Sequence, residues 1–173
     1  LNKNLKEIDY QDLWQDNGVF TTMWIYGKPQ KILFFKAHIE NLVKSLKVYK
    51  IYRKNLKNKI LKLLNLNINH KKIYNHLLRV ACNKNIISIS IREKVNTNNN
   101  FILKIINHKR HRPEYKNLKY KIILNHLKKI DSSKFDIALC VNKRILETGT
   151  SNVLICSKNK IFSPITNFIE EQT

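Results

Sequence analysis

The chain has 173 residues, which fits one domain or one and a half and can bury a core without disulfides. Thirty-three Lys and Arg residues against 12 acids give a formal net charge of +21. Such a charge is typical of nucleic-acid-binding proteins. Here, however, the excess is mostly lysine, spread over the whole chain with only six arginines. We therefore interpret it as lysine on solvated faces and keep a basic nucleic-acid-binding module as an alternative.

The apolar runs and the cysteines limit the location and the chemistry. The longest apolar runs are far shorter than the ~20 residues of a membrane helix, and the start of the chain has no signal-peptide pattern. We expect a cytoplasmic protein without membrane association. Cys82, Cys140 and Cys156 are widely spaced, each in a run that predicts a strand, so we expect reduced core residues. No Cys or His pair has zinc-ligand spacing, and we predict no metal site.

The first 107 residues alternate strand and helix patterns and predict a small α/β domain. Residues 19–26 are β-branched and aromatic, Gly27 and Pro29 mark a turn, and residues 30–35 predict the hairpin partner. Apolar residues at helical spacing predict amphipathic helices packing on this hairpin. These helices cover residues 38–49 and 55–66, and strands are predicted over 76–82, 86–92 and 101–107.

The last third of the chain carries the most specific pattern. Residues 108–116 are charged, contain Pro113 and predict a hinge, and a second domain follows over 117–173. In it, Lys119 precedes a helical segment, and Glu147 follows an apolar strand over 135–141. An amine and a carboxylate at the edges of apolar elements suit a cofactor that needs a covalent anchor and a counter-charge at its far end. Pyridoxal phosphate is such a cofactor, because its aldehyde condenses with lysine and its ring nitrogen is kept protonated by a carboxylate.

The order of lysine, helix, strand, acid, small polar residues and strand resembles the class IV (fold type IV) pyridoxal-phosphate enzymes. These include 4-amino-4-deoxychorismate lyase and the branched-chain and D-amino-acid aminotransferases. Three further segments carry the resemblance: Asp16-Asn17-Gly18-Val19-Phe20-Thr21-Thr22-Met23, His38-Ile39-Glu40-Asn41-Leu42 and Lys160-Ile161-Phe162-Ser163-Pro164. Phe20-Thr21-Thr22, and Pro113 six residues before the lysine, favour the lyase. The implied fold is α+β, with a small N-terminal α/β domain and the first part of a larger, β-rich C-terminal domain.

The resemblance also implies site residues. Lys119, with Leu118 before it and Leu124 five residues after it, is the expected covalent anchor, buried at the domain boundary. Lys121 and Lys116 remain alternatives. Glu147 is the expected partner of the ring nitrogen; its alternative interpretation is a turn carboxylate. Thr150 and Ser151 would line the cofactor pocket and Asn152 would order the turn, the alternative being an ordinary turn before a strand beginning at Val153. His38 and Arg79 are the upstream residues expected to face the cleft.

The implied activity is conversion of 4-amino-4-deoxychorismate to p-aminobenzoate and pyruvate, for folate biosynthesis. The first alternative is a class IV aminotransferase of branched-chain or D-amino acids. The second is a truncated or degenerate remnant without catalysis, because Asn41 stands where the family has a phosphate-binding arginine. Family members also continue for roughly a hundred residues more by analogy, so we expect a fragment or truncated product. A homodimer acting on a small amino-acid-like substrate is implied as well.

Overall fold

The computed structural model describes residues 9–97 and 100–164, which contain three helices and nine strands in two compact units. The first unit contains the described residues up to Lys94 together with Tyr115–Tyr120; the second contains Val95–Glu114 and the described residues from Lys121 onward. The mixture of helices and sheets confirms the α+β class. The division differs from the predicted boundaries after 107 and 116, because the strand at 102–107 pairs within the second unit.

The first unit is built on one antiparallel sheet. Its strands have the order β2-β1-β3-β4. The elements are β1 (Gly18–Gly27), β2 (Lys31–Ile32), α1 (Phe35–Val48), α2 (Leu56–Asn67), β3 (Tyr74–Asn83) and β4 (Ile87–Glu93). The prediction of a strand over 30–35 is wrong beyond Ile32. Phe34, with φ 50°, is in the left-handed region and α1 begins at Phe35, so the chain leaves the sheet.

The two faces of this sheet bury different clusters. On one face, α1 presents Ile39, Leu42 and Leu46 at the spacing of an apolar helical stripe, and they join a core that includes Met23 and Leu78. Alternate residues of β1 point the other way. The second cluster consists of Leu13, Phe20, Ala81 and Leu118. Leu118 lies 99 residues beyond β1's Val19 in sequence, so burial on this second face fixes the segment that contains Lys119.

The second unit contains a three-stranded sheet and a separate hairpin. The elements are β5 (Ile102–Asn107), α3 (Lys121–Leu127), β6 (Phe135–Val141), β7 (Arg144–Thr148), β8 (Ile155–Ser157) and β9 (Lys160–Phe162). The sheet order is β5-β6-β7, with β5 parallel and β7 antiparallel to β6. Asn142 and Lys143 join β6 to β7 with positive φ, as a two-residue type I′ turn requires. The strand expected from Val153 begins only at Ile155.

The cysteines do not all lie in the core. Cys82 and Cys140 are buried, as predicted, but Cys156 is exposed because every residue of β8 is exposed. Within residues 9–97 and 100–164, no three or more His, Cys, Asp or Glu side chains form a group that could hold a metal ion. None of the helices in these same residues has the length and apolarity needed to cross a membrane.

Candidate active site

The backbone on both sides of Lys119 is tied to β1. The amide of Phe20 donates to the carbonyl of Lys116 at 2.7 Å, and the amide of Leu118 donates to the carbonyl of Gly18 at 3.0 Å. The amide of Gln15 donates to the carbonyl of Leu118 at 2.9 Å. The segment therefore runs beside β1 like a short additional strand, and its backbone position is fixed.

Apolar packing holds the same segment. Leu118 is fully buried in the second cluster. Around it, the rings of Trp14, Phe20 and Tyr120 contact one another with centroids 5.0 to 5.5 Å apart. Gly18 makes the approach possible, because a Cβ there would lie 2.8 Å from a methyl carbon of Leu118 and closer still to backbone. The sequence Asn-Leu-Lys thus places one buried apolar anchor immediately before the reactive candidate.

Lys119 itself is exposed, so the expectation of a buried lysine is wrong for its side chain. Its amide donates to Oδ1 of Asn117 at 3.0 Å, and its Nζ donates to the carbonyl oxygen of Gln15. Lys116 and Lys121 are exposed as well, and Lys121 begins α3. Exposure therefore does not distinguish the three amines. Lys119 differs in following the buried pair Asn117 and Leu118 directly, which gives its Cα a fixed position.

Two upstream residues have partners inside the first unit. Nδ1 of His38 lies 2.8 Å from Oγ1 of Thr21, and burial, followed by the positive charge of Lys116, lowers the pKa of His38. Arg79 donates to Oδ1 of Asp12 at 2.6 Å, and its guanidinium carbon lies 4.1 Å from the ring centroid of Trp14. Both side chains thus have a structural role here. That they also face a cleft stays a prediction.

Asn41 lies on α1, where the resemblance led us to expect an arginine. Its side chain is exposed, and its carbonyl accepts a hydrogen bond from Oγ of Ser45 at 2.8 Å. The helix position is therefore formed, but its side chain brings no positive charge.

In the second unit, Glu147 is held by an arginine that sequence analysis did not single out. Arg110 donates from Nε to Oε1 at 2.7 Å and from Nη2 to Oε2 at 2.6 Å. Such two-point, charge-assisted pairs fix the plane of a carboxylate. The side chain of Arg110 is only 7% exposed and that of Glu147 is 22% exposed. Water is therefore largely excluded from the guanidinium and reaches the carboxylate in part. Nη2 of Arg110 also donates to the carbonyl of Pro113 at 2.9 Å.

A β-bulge in β7 sets the direction of the Glu147 side chain. Leu139 on β6 pairs with Glu147, but the next residue, Cys140, pairs with Ile145, so Leu146 is an extra residue in β7. A β-bulge of this kind bends its strand and redirects the neighbouring side chain, and bulges are common beside active sites. The bulge therefore accounts for the direction in which the sheet presents the carboxylate.

The turn after Glu147 is ordered by side-chain hydrogen bonds. The hydroxyl of Thr148 donates to the carbonyl of Ser151 at 2.5 Å and accepts from the amide of Ser151 at 2.8 Å. Thr150 donates to Oδ2 of Asp136 from its hydroxyl at 2.6 Å and from its amide at 3.2 Å. Asp136 is 2% exposed. This buried carboxylate was missed in the sequence, although an acid inside the apolar run of β6 is a recognisable signal.

Gly149 allows the turn to lie against β6. Its amide donates to the carbonyl of Ile137 at 3.0 Å, and an added Cβ would lie 2.7 Å from Cγ1 of Ile137. Real side chains do not come that close, so any larger residue would push the turn away from the strand. Glycine is therefore required here for close packing.

The structure brings together some of the predicted site residues. Glu147, Thr150 and Ser151 lie in or next to one turn of the second unit. Asn152 is exposed, and that it orders the turn stays a prediction. Among the described residues, Thr148 and Asp136 make the side-chain hydrogen bonds that hold the turn. Lys119 belongs to the first unit.

The chemistry of these groups fits pyridoxal phosphate. An accessible primary amine on a fixed backbone can form the covalent bond, and an oriented carboxylate can face a pyridine nitrogen. The exposed hydroxyl of Ser151 can donate to a polar cofactor, and that of Thr150, whose proton goes to Asp136, can accept from one. Asn41 is the exception, because it lacks the charge that would pair with a phosphate.

Comparisons with known proteins agree with this assignment. The model of the amino-transferase class IV family matches residues 18–169. A search of curated protein sequences finds no significant match. Among solved structures, a 4-amino-4-deoxychorismate lyase candidate from Legionella pneumophila superimposes with a TM-score of 0.69 at 14% identity, over 91% of this chain and 66% of that one.

Two aminotransferase structures superimpose as well. One is a hypothetical aminotransferase from Mycobacterium tuberculosis with α-ketoglutarate and PMP bound, with a TM-score of 0.70 at 14% identity over 95% of this chain and 68% of that one. The other is a branched-chain amino acid aminotransferase variant from Thermobaculum terrenum, with a TM-score of 0.66 at 14% identity over 94% and 62%. The chain thus spans about two thirds of the length of these proteins. With the family model matching most of its length, the chain belongs to the amino-transferase class IV family.

Proposed function

We propose that the protein is a pyridoxal-phosphate-dependent lyase that converts 4-amino-4-deoxychorismate to p-aminobenzoate and pyruvate. The observation that carries the cofactor in this proposal is the two-point pair of Arg110 with Glu147 beside an ordered hydroxyl turn. The choice of the lyase over the aminotransferase rests on Phe20-Thr21-Thr22 and on Pro113 six residues before the lysine. An acid in a surface turn needs no arginine clamp, whereas an acid that must face a ring nitrogen in one orientation does. The names of similar structures, which include lyase candidates, agree with this choice.

Lys119 is proposed as the residue that binds the cofactor aldehyde and later moves a proton. The bound cofactor supplies an electron sink next to the substrate carbon that loses a proton. Released by the substrate amine, Nζ of Lys119 is a primary amine that can accept this proton as a general base. The fixed positions of Asn117 and Leu118 restrict the motion of Nζ to its own side-chain torsions. Because Nζ of Lys119 can reach only a small volume, proton transfer at one substrate carbon is favoured.

Glu147 is proposed to keep the ring nitrogen protonated. Its carboxylate accepts two hydrogen bonds from Arg110, and each oxygen retains a lone pair for a further donor. Arg110 acts as a positioning residue, because it holds the plane of the carboxylate and does not itself need to touch the cofactor. Asp136 has the same relation to Thr150, whose hydroxyl it holds in one direction.

The remnant interpretation is supported by Asn41. Without a positive charge at this position, phosphate binding would rest on backbone and hydroxyl donors. A folded protein with weak or no cofactor affinity would then result. The second class of enzyme, a class IV aminotransferase of branched-chain or D-amino acids, uses the same lysine and carboxylate. It would differ in releasing a keto acid and leaving the amine form of the cofactor.

The test is a product assay with matched variants. The protein is loaded with pyridoxal phosphate and given 4-amino-4-deoxychorismate, and pyruvate is followed by its reduction with lactate dehydrogenase while p-aminobenzoate is followed by fluorescence. The proposal predicts equal amounts of both products, lost in Lys119→Arg and retained in Lys121→Arg. Conversion of the cofactor to its amine form by branched-chain or D-amino acids, without p-aminobenzoate, would show the aminotransferase instead. A protein that binds no cofactor would support the remnant.

The remaining expectations stay predictions. A homodimer, which the resemblance implies, would be measured by light scattering coupled to size-exclusion chromatography. Cytoplasmic location would be measured by fractionation of the source cells.

A further inference from the structure

The amine of Lys119 is bound by a backbone carbonyl from a distant part of the sequence. Nζ of Lys119 donates to the carbonyl oxygen of Gln15, 104 residues earlier in the chain. The two backbones are joined as well, because the amide of Gln15 donates to the carbonyl of Leu118 at 2.9 Å. Gln15 therefore contacts the segment of Lys119 twice, and one of these contacts is made to the nitrogen atom that would react.

The backbone conformation of Gln15 directs this carbonyl. Its φ is 77°, in the left-handed region that residues other than glycine rarely adopt. A residue keeps such a conformation when the contacts around it fix the backbone. With this conformation, both the N–H and the C=O of Gln15 bond to the segment of Lys119.

Side chains on either side of Gln15 are tied to β3. Oδ1 of Asp12 accepts from Nη2 of Arg79 at 2.6 Å, and Oδ2 of Asp16 accepts from Nδ2 of Asn83 at 2.6 Å. Arg79 and Asn83 are four residues apart on β3 and so lie on one face of the sheet. The sheet thus holds the turn that contains Gln15 at both ends, and with it the position of the carbonyl.

We propose that the carbonyl of Gln15 positions the reactive amine of Lys119, and that Asp12 and Asp16 are positioning residues for this carbonyl. This role rests on the proposed function, in which Nζ binds the cofactor aldehyde and later accepts a proton. One N–H of the amine is directed at the carbonyl, so the lone pair that attacks an aldehyde is directed elsewhere. When the proton leaves the substrate carbon, its electron pair stays on that carbon and Nζ becomes an ammonium. The ammonium donates to the same oxygen, and a hydrogen bond from a charged donor is stronger than one from a neutral donor.

Two substitutions of Gln15 separate the carbonyl from the side chain. Proline fixes φ near about −65° and has no N–H, so Gln15→Pro cannot keep the observed conformation or donate to Leu118. Glycine adopts positive φ without steric cost and keeps both the N–H and the C=O, so Gln15→Gly is the conservative variant. We expect the carbonyl to move away from Nζ in Gln15→Pro and to stay in Gln15→Gly.

The experiment measures two modifications of Lys119 in the whole chain by mass spectrometry. The first is the label left by pyridoxal phosphate and borohydride, which depends on the direction of the amine. This label should fall about fivefold in Gln15→Pro and be retained in Gln15→Gly. The second is acetylation by a brief exposure to acetic anhydride, with Lys121 as the reference in the same chain. Because Nζ is no longer engaged by the carbonyl, acetylation of Lys119 relative to Lys121 should rise about threefold in Gln15→Pro. A general loss of structure would not move the two modifications in opposite directions while the reference stays constant.

A second pair of variants tests the positioning residues without proline. Asp12→Asn removes the charge that pairs with Arg79, and Asp9→Asn removes an equal charge at an exposed position nearby. Asp12→Asn should change both modifications in the direction of Gln15→Pro by about twofold, and Asp9→Asn should change neither. Equal acetylation ratios in the native chain, Gln15→Pro and Asp12→Asn would overturn the proposal. If Lys119 of the native chain takes no cofactor label, the proposed function fails, while the acetylation ratios still decide whether the carbonyl controls the amine.

Discussion

The pair of Arg110 and Glu147 can be tested by a double-mutant cycle. Arg110→Met and Glu147→Leu each remove one charge and keep an apolar side chain of similar length. At the observed 2.6 Å and an effective dielectric constant near 20, Coulomb's law gives an attraction of about 6 kcal/mol before desolvation is subtracted. Removing one partner of a buried pair typically costs about 3 to 5 kcal/mol, because the other charge stays behind.

The exposures of the two side chains refine this range. Arg110 is 7% exposed, so its charge would remain away from water in Glu147→Leu, and we expect a cost of about 4 kcal/mol. Glu147 is 22% exposed, so water reaches its carboxylate in Arg110→Met. We therefore expect this variant to lose about 3 kcal/mol of unfolding free energy. The double variant leaves neither charge of the pair behind, but the carbonyl of Pro113 loses a hydrogen-bond donor. We expect the double variant to lose about 1 to 2 kcal/mol of unfolding free energy in all.

The assay is urea unfolding followed by circular dichroism, because both tryptophans of the chain lie in the first unit. The free energy of unfolding is compared for the native chain, both single variants and the double variant. We expect the double variant to be more stable than either single variant. If each single variant loses less than about 0.5 kcal/mol of unfolding free energy and the two losses add in the double variant, the buried-pair interpretation is refuted. Such small values are typical of an exposed pair.

Other predictions concern single positions. Gly149→Ala should lower the free energy of unfolding by about 1 to 3 kcal/mol in urea, because the new Cβ would overlap Ile137. Its control, Ser151→Ala at an exposed position, should cost less. His38 has a folded-state pKa below 6.5, so the unfolded chain binds more protons and stability should fall as pH drops through and below about 6.5. Unfolding at pH 7.5 and 5.5 should show a larger drop for the native chain than for His38→Gln, and equal drops would contradict it. Iodoacetamide should label Cys156 in the folded protein and leave Cys82 unlabelled, because burial raises the pKa of Cys82 to about 12. Mass spectrometry of the tryptic peptides would read both, and labelling of Cys82 at the rate of Cys156 would be the contrary result.

Periodicity in the sequence predicted the elements whose burial depends on local pattern. The two helices of the first unit were expected within three residues of their observed starts and ends, because Ile39, Leu42 and Leu46 mark one helical face. The predicted strand over 30–35 was wrong beyond Ile32, where β2 ends. Leu33, Phe34 and Phe35 are apolar enough for a strand, but Phe34 takes a left-handed conformation that starts a helix. Single-residue backbone reversals of this kind are not visible in apolar patterning.

The candidate site was predicted less completely. Glu147 and its turn were recognisable because an acid before Thr-Gly-Thr-Ser is rare in so basic a chain. Arg110 was not, because it lies 37 residues away in a run of charged residues that suggested a hinge. Asn152 was expected to order the turn, which stays a prediction, whereas the bond from Thr150 to Asp136 of β6 was not foreseen. Both missed residues act through contacts between distant parts of the sequence, which a local motif does not contain.

The measurement that tests the account most directly is the position of the covalently bound cofactor. The protein is incubated with pyridoxal phosphate and reduced with borohydride, and the modified peptide is identified by mass spectrometry. We expect a phosphopyridoxyl group on Lys119, lost in Lys119→Arg and unchanged in Lys116→Arg and Lys121→Arg. A stable label on Lys116 or Lys121, or scattered labelling over many exposed lysines, would contradict it.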